Sequence, residues 1–139
     1  LFFGKELLPV LGRARFLGLF LGAGVVSSIA QVAWPFVAPE SLRYSQYQLG
    51  LGASGAVNAV VAYNILTYPG RIMMLFMAVP VPAIFPGLIF LGKDVYGILT
   101  PDASYTNAAA HMGGTVSGVL FWLMTFNLRR GIPFMGIKC

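Results

Sequence analysis

Four uncharged, largely apolar runs, each near the length that crosses a bilayer, constrain this chain more than any single residue does. A spanning helix needs about 20 mostly apolar residues. Phe16 to Val37 is the clearest run, with Pro35 close to its end, where a helix can stop. Leu51 to Tyr68 is shorter and is closed by the turn pair Pro69-Gly70. Ile72 to Gly92 contains Pro80, Pro82 and Pro86. In water those prolines argue against a helix, but packed neighbours in a membrane can satisfy the freed carbonyls, so a kinked helix is expected there. Thr106 to Leu128 is the fourth run, with His111 as its one ionisable residue. Residues 1–12 read as the tail of a preceding helix that ends between Gly4 and Gly12. The chain starts inside an apolar segment without an initiating Met, as a portion of something longer would.

The expected fold class is therefore an all-α polytopic membrane protein. It is one domain over residues 1–139, with spans at 16–37, 51–68, 72–92 and 106–128 and the end of an earlier helix. Loops fall at 38–50, 69–71 and 93–105. Composition agrees: 58% of the residues are hydrophobic and 9% are charged, against roughly 25% charged in soluble domains. Thirteen charged residues cannot form a polar shell for a soluble chain of 139.

The net charge of +5 marks topology and is not a nucleic-acid signature, because the basic residues sit between the apolar runs. Successive loops alternate sides. One side collects Lys5, Arg13, Arg15, Arg71, Arg129, Arg130 and Lys138. The other has Arg43 and Lys93, beside Glu40, Asp94 and Asp102. The positive-inside rule puts the first side in the cytoplasm or an equivalent such as the mitochondrial matrix. The lone cysteine, Cys139, can form no internal disulfide, and no Cys/His metal spacing exists. No metal and no cofactor are expected.

Ser54 lies just inside the second run and His111 about five residues inside the fourth. Both runs start from the side poor in positive charge. At 1.5 Å per residue, both side chains sit roughly 5–10 Å below that surface, so they meet if the helices touch. The helices have the residues for it. Gly52-Ala53-Ser54-Gly55-Ala56 opens one, and Gly114 and Gly118 make a small-xxx-small pair on the other, which allows close approach in lipid. A serine among glycines is more often packing than chemistry. A histidine in hydrocarbon is costly and by default functional. As a haem ligand, metal ligand or proton relay it lacks a second histidine and an intramembrane carboxylate. The soluble hydrolase elbow is excluded, since Ala56 occupies its last glycine position and no strand precedes it.

Gly52-Ala53-Ser54-Gly55 and Ala110-His111-Met112-Gly113-Gly114 resemble the two hallmark segments of the rhomboid family. Phe2-Phe3-Gly4-Lys5 through Gly12, then Arg15-Phe16-Leu17, resembles the family's passage from its second to its third core helix. The resemblance covers residues 1 to about 130. Gly52 to Ala59, Val79 to Ala83 and Gly92-Lys93-Asp94 are most similar to mitochondrial rhomboids of plants and algae. The resemblance implies an intramembrane serine protease that cuts transmembrane helices, with Ser54 as nucleophile and His111 as general base. Gly52, Gly55 and Asn58 would support the site, and the Ser54 N–H would contribute to an oxyanion hole. The family's oxyanion His and Asn would fall before Leu1. Asn58 stands where many relatives have a Tyr that packs on the His. No third acid is expected, because Asp94 and Asp102 read as loop residues.

The implied partners are transmembrane protein substrates and the lipid bilayer, not nucleic acid. The implied location is the mitochondrial inner membrane, with basic loops in the matrix and the dyad towards the intermembrane space. The alternative reading is an inactive rhomboid-like subunit of a larger inner-membrane complex. A small transporter or channel subunit is a third, against which the missing charged lining counts.

Overall fold

The structure, a computed structural model, describes residues 2–42, 52–75, 79–100 and 107–131. They form α1 (Phe2–Leu11), α2 (Arg13–Val37), a 3-10 turn (Glu40–Leu42), α3 (Gly52–Thr67), β1 (Ile72–Leu75), β2 (Val79–Pro82), α4 (Ile84–Leu99) and α5 (Ala108–Gly131). The chain is mostly helical, and α2, α3 and α5 pack pairwise against one another, with α4 laid against α5.

Gly12 separates α1 from α2. Its φ of 76° with ψ of 160° is a backbone conformation open in practice to glycine alone, and it breaks the chain between the two helices. Its N–H donates to the Leu8 carbonyl at 2.9 Å, and its own carbonyl accepts from the Phe16 N–H at 3.1 Å to start the next helix. The reversal folds α1 back so that Leu7 and Leu11 join Leu19, Ala23, Ala59, Val60 and Tyr63 in one buried cluster.

The expected runs 16–37, 51–68 and 106–128 overlap α2, α3 and α5 respectively. Among the described residues, α2 is the one helix long and apolar enough to cross a membrane. The helices α3 and α4 have 16 residues each, about 24 Å, against a typical hydrocarbon core of about 30 Å.

The expected span over 72–92 does not form. Its first half is an antiparallel hairpin in the register Ile72↔Pro82, Met73↔Val81, Met74↔Pro80, Leu75↔Val79. Prolines two apart explain this. Neither can donate in a helix, and both clash with the preceding turn. In a strand they share one side, so both missing donors fall on the edge away from β1. The ladder is then carried by the alternate pairs, and the Ala83 N–H extends it to the Arg71 carbonyl at 2.8 Å. Pro86 sits in the first turn of α4, where a proline is tolerated.

The loop expected over 93–105 does not begin at 93, and 101–105 lie outside the described residues. The helix α4 runs through Lys93 and Asp94 to Leu99. Lys93-Asp94 reads as the end of an apolar run, but Asp94 turns inward and is partnered there. Asp102, Arg43, Lys138 and Cys139 lie outside the described residues.

Beside that apolar cluster, the helices bury several polar residues and expose many large apolar ones. Ser27, Asn64, Asp94 and Thr125 are buried, while Leu17, Leu21, Val25, Ile29, Val32 and Phe36 form an exposed stripe on α2. A soluble protein sorts its residues the other way. In lipid, where tails are as apolar as leucine, association rests on close packing of small residues and on polar contacts.

Candidate active site at the seam of two helices

The helices α3 and α5 meet at glycine. A Cβ added to Gly114 would collide with the Gly55 carbonyl oxygen, and would lie 2.6 Å from its carbon and 2.8 Å from the Gly55 Cα. One turn along, a Cβ on Gly118 would collide with the Ala59 carbonyl oxygen and lie 2.9 Å from the Ala59 Cα. The rows 55/59 and 114/118 interlock at matching four-residue spacing, the register in which side chains stack on one helix face. Gly55 is closed in from two directions: its added Cβ would strike the Ser27 side chain and fall 2.8 Å from the Ala110 carbonyl oxygen.

Ser54 and His111 flank this contact. Ser54 is in the first turn of α3, directly before Gly55. His111 is in the first turn of α5, directly after Ala110. Both are half-buried. The start of α5 is held by neighbours. The Ala110 N–H, which its own helix leaves unsatisfied, donates to the Gln31 Oε1 of α2 at 3.1 Å. The His111 N–H donates to the Asn107 carbonyl at 3.0 Å. Gly113 meets α2 as well, since a Cβ there would lie 2.9 Å from the Ala30 Cβ.

The expectation that no acid reaches the histidine is overturned. Asp94 Oδ1 lies 2.9 Å from His111 Nδ1. The other carboxylate oxygen, Oδ2, accepts from the Asn58 Nδ2 at 3.2 Å. A chain of polar groups thus runs from Asn58 on α3, one turn past Ser54, through Asp94 on α4 to His111 on α5. Asp94 is 9% exposed at its side chain and His111 30%. For Oδ1 to accept, the imidazole must present N–H at Nδ1, which leaves the lone pair of the neutral ring at Nε2. Asn58, expected as a support of the site, makes its hydrogen bond to Asp94.

Polar contacts at the opposite end of the seam are structural. Thr125 Oγ1 donates back to its own helix at the Phe121 and Trp122 carbonyls, at 2.9 and 3.0 Å. The 2.9 Å contact to Tyr63 Oη therefore has the tyrosine as donor. A cavity of about 250 Å³ opens beside this pair, lined by Tyr63, Leu66, Thr67, Trp122, Thr125 and Phe126. It lies at the end of α3 away from Ser54. Among the described residues no group of three His, Cys, Asp or Glu side chains is gathered as a metal site.

The rhomboid domain family matches residues 1–128. The chain is 32% identical over 129 residues to RHOMBOID-like protein 12, mitochondrial, of Arabidopsis thaliana, covering 87% of this chain and 38% of that protein. It is 28% identical over 120 residues to Rhomboid protein 1, mitochondrial, of Saccharomyces cerevisiae, covering 86% and 33%. It is 26% identical over 133 residues to the human Presenilin-associated rhomboid-like protein, mitochondrial, covering 89% and 31%. The chain thus spans about a third of the length of these curated relatives. No solved structure matches it significantly. With its glycine-seamed helices and a matched domain over nearly its whole length, the chain belongs to the rhomboid family, and its relatives are mitochondrial.

Proposed function

We propose that this chain is the catalytic core of a rhomboid-type intramembrane serine protease, with Ser54 as nucleophile and His111 as general base. The observation that carries the proposal is the site itself: Ser54 and His111 flank the tightest contact between α3 and α5, and the His111 ring is oriented through Nδ1. With Nδ1–H engaged, Nε2 is the atom that takes the Ser54 Oγ proton as Oγ attacks the carbonyl carbon of a scissile bond. The C–N bond breaks as the imidazolium returns that proton to the leaving amine. Water then hydrolyses the acyl-enzyme by the same route in reverse. The first-turn N–H of Ser54, with the α3 dipole behind it, is the oxyanion donor this chain supplies. Asn58 supports the site through Asp94, and Gly52 and Gly55 keep the helix start slim.

The proposed substrates are transmembrane helices, which must unwind near their ends to offer a peptide bond. In the proposed topology α2, α3, α4 and α5 cross the mitochondrial inner membrane, with the hairpin outside the hydrocarbon. Their basic ends face the matrix, and the site faces the intermembrane space. The bias of seven basic residues against two supports this orientation.

The test is fluorophosphonate labelling of the membrane-embedded, full-length protein beside a Ser54→Ala variant. Labelling in the wild type and its loss in the variant are expected. No labelling of wild type, or equal labelling of both, points to the alternative: an inactive rhomboid-like subunit of a membrane complex.

A further inference from the structure

Asp94 is a buried acid in an apolar helix, and both of its oxygens are occupied by different helices. A buried carboxylate is costly unless it is paired and hydrogen-bonded. This one spends its two partners on the helix of the proposed nucleophile and on the proposed base. We infer that Asp94 is the positioning residue of the site, an acid that turns the Ser54/His111 pair into a three-membered relay. The inference rests on the protease reading above.

The geometry assigns each atom a task. The Asn58 Nδ2 holds Oδ2, which fixes the carboxylate plane. Oδ1 then accepts from His111 Nδ1–H, which locks the tautomer that leaves Nε2 basic. When Nε2 takes the serine proton, the imidazolium lies against a carboxylate 2.9 Å away, so the charge forms beside its counter-ion. The proton moves only between Ser54 Oγ, His111 Nε2 and the leaving nitrogen. A competing role for Asp94 is purely mechanical, a staple that holds α4 against α3 and α5.

Substitution separates the two roles. In Asp94→Asn the carboxamide offers one oxygen and one NH₂. If the NH₂ faces His111, the ring is forced into the wrong tautomer. If the oxygen does, two NH₂ groups face each other at Asn58 unless that amide turns over. The double exchange Asn58→Asp with Asp94→Asn restores every hydrogen bond: the new amide donates to residue 58 and accepts from His111. It moves the negative charge away from the imidazole. A staple is fully repaired by the exchange; a counter-ion is not.

The experiment uses the full-length protein in liposomes. It measures the fluorophosphonate labelling rate, kcat and KM for a transmembrane reporter, and thermal stability. In a soluble triad, Asp→Asn costs about 10⁴ in kcat. Here the histidine is 30% exposed and water partly replaces the acid, so a loss of about 10² is expected in labelling rate and kcat, with KM unchanged. The double exchange should return stability to wild type and leave kcat at least about tenfold low. Should Asp94→Asn fail to fold, the double exchange alone decides the matter. A single variant that labels at the wild-type rate, or a double exchange with full activity, overturns the relay while the protease reading stands. A wild type that does not label overturns both, and the Ser54→Ala control tells these failures apart.

Discussion

Gly114→Ala tests the seam on which the site depends. The added Cβ would lie 2.6 Å from the Gly55 carbonyl carbon, where carbon atoms prefer about 3.5–4.0 Å. The obstruction is backbone, so no side chain can swing aside. Relief requires α3 and α5 to part by about 1 Å. Overpacking of this kind costs about 1–3 kcal/mol of stability. The catalytic cost is expected to be the larger effect, because a misplacement of about 1 Å between reacting groups can cost about 10²-fold in rate. The assay pairs thermal unfolding in detergent with cleavage of a transmembrane reporter in liposomes. The control is Gly22→Ala on α2, where an added Cβ meets nothing within 4 Å and both measurements should stay near or above wild type. If Gly114→Ala keeps wild-type activity and stability, the two backbones are not in contact and the proposed approach of Ser54 to His111 loses its support.

Three further outcomes follow from buried polar atoms. Ser27 Oγ is fully buried without a hydrogen-bond partner, so Ser27→Ala should be neutral or raise the melting temperature, whereas Ser27→Val should lower it by crowding Gly55. Thr125→Val leaves the Tyr63 hydroxyl without its acceptor and should cost about 1–2 kcal/mol; adding Tyr63→Phe should recover most of that loss in a double-mutant cycle read by thermal unfolding. Gln31→Leu removes the acceptor of the Ala110 N–H at the start of α5 and should destabilise the protein by about 1–3 kcal/mol. Reporter cleavage should fall with it, because the turn it holds carries His111.

The close approach of α3 and α5 was legible because its setting is written locally. The glycine pair 114/118 and the run 52–56 specify close approach within one turn of chain, and the apolar runs 16–37, 51–68 and 106–128 are long enough to stand out. The hairpin was hidden by the same signal. Ile72 to Gly92 is as apolar as a spanning helix, and only the Val-Pro-Val-Pro alternation betrays period two. Asp94 was hidden for a different reason. A Lys-Asp pair usually ends an apolar run, and nothing local says that one member faces inward. The available clue was positional: Pro86, Asp94 and Gly97 are the buried residues of α4, a small or polar row opposite the exposed Phe85, Leu88, Ile89 and Leu99. In a membrane bundle such a row marks the inner face. The partners of Asp94 lie 36 residues before it and 17 after it, beyond the reach of any reading of spacing.

The proline strand has a chemical polarity. On β2 the backbone groups of Val79 and Val81 turn towards β1, and those of Pro80 and Pro82 turn outward. That outer edge therefore displays carbonyl oxygens and not one N–H. A strand from another copy of this chain needs both donors and acceptors to dock, so the sheet cannot grow from the β2 edge. What can satisfy the edge is a pure donor: water, an ammonium or a guanidinium. In a molecule otherwise made of self-satisfied helices, Val79–Pro82 is a short electronegative rim that admits cationic or hydrated neighbours and turns away its own kind.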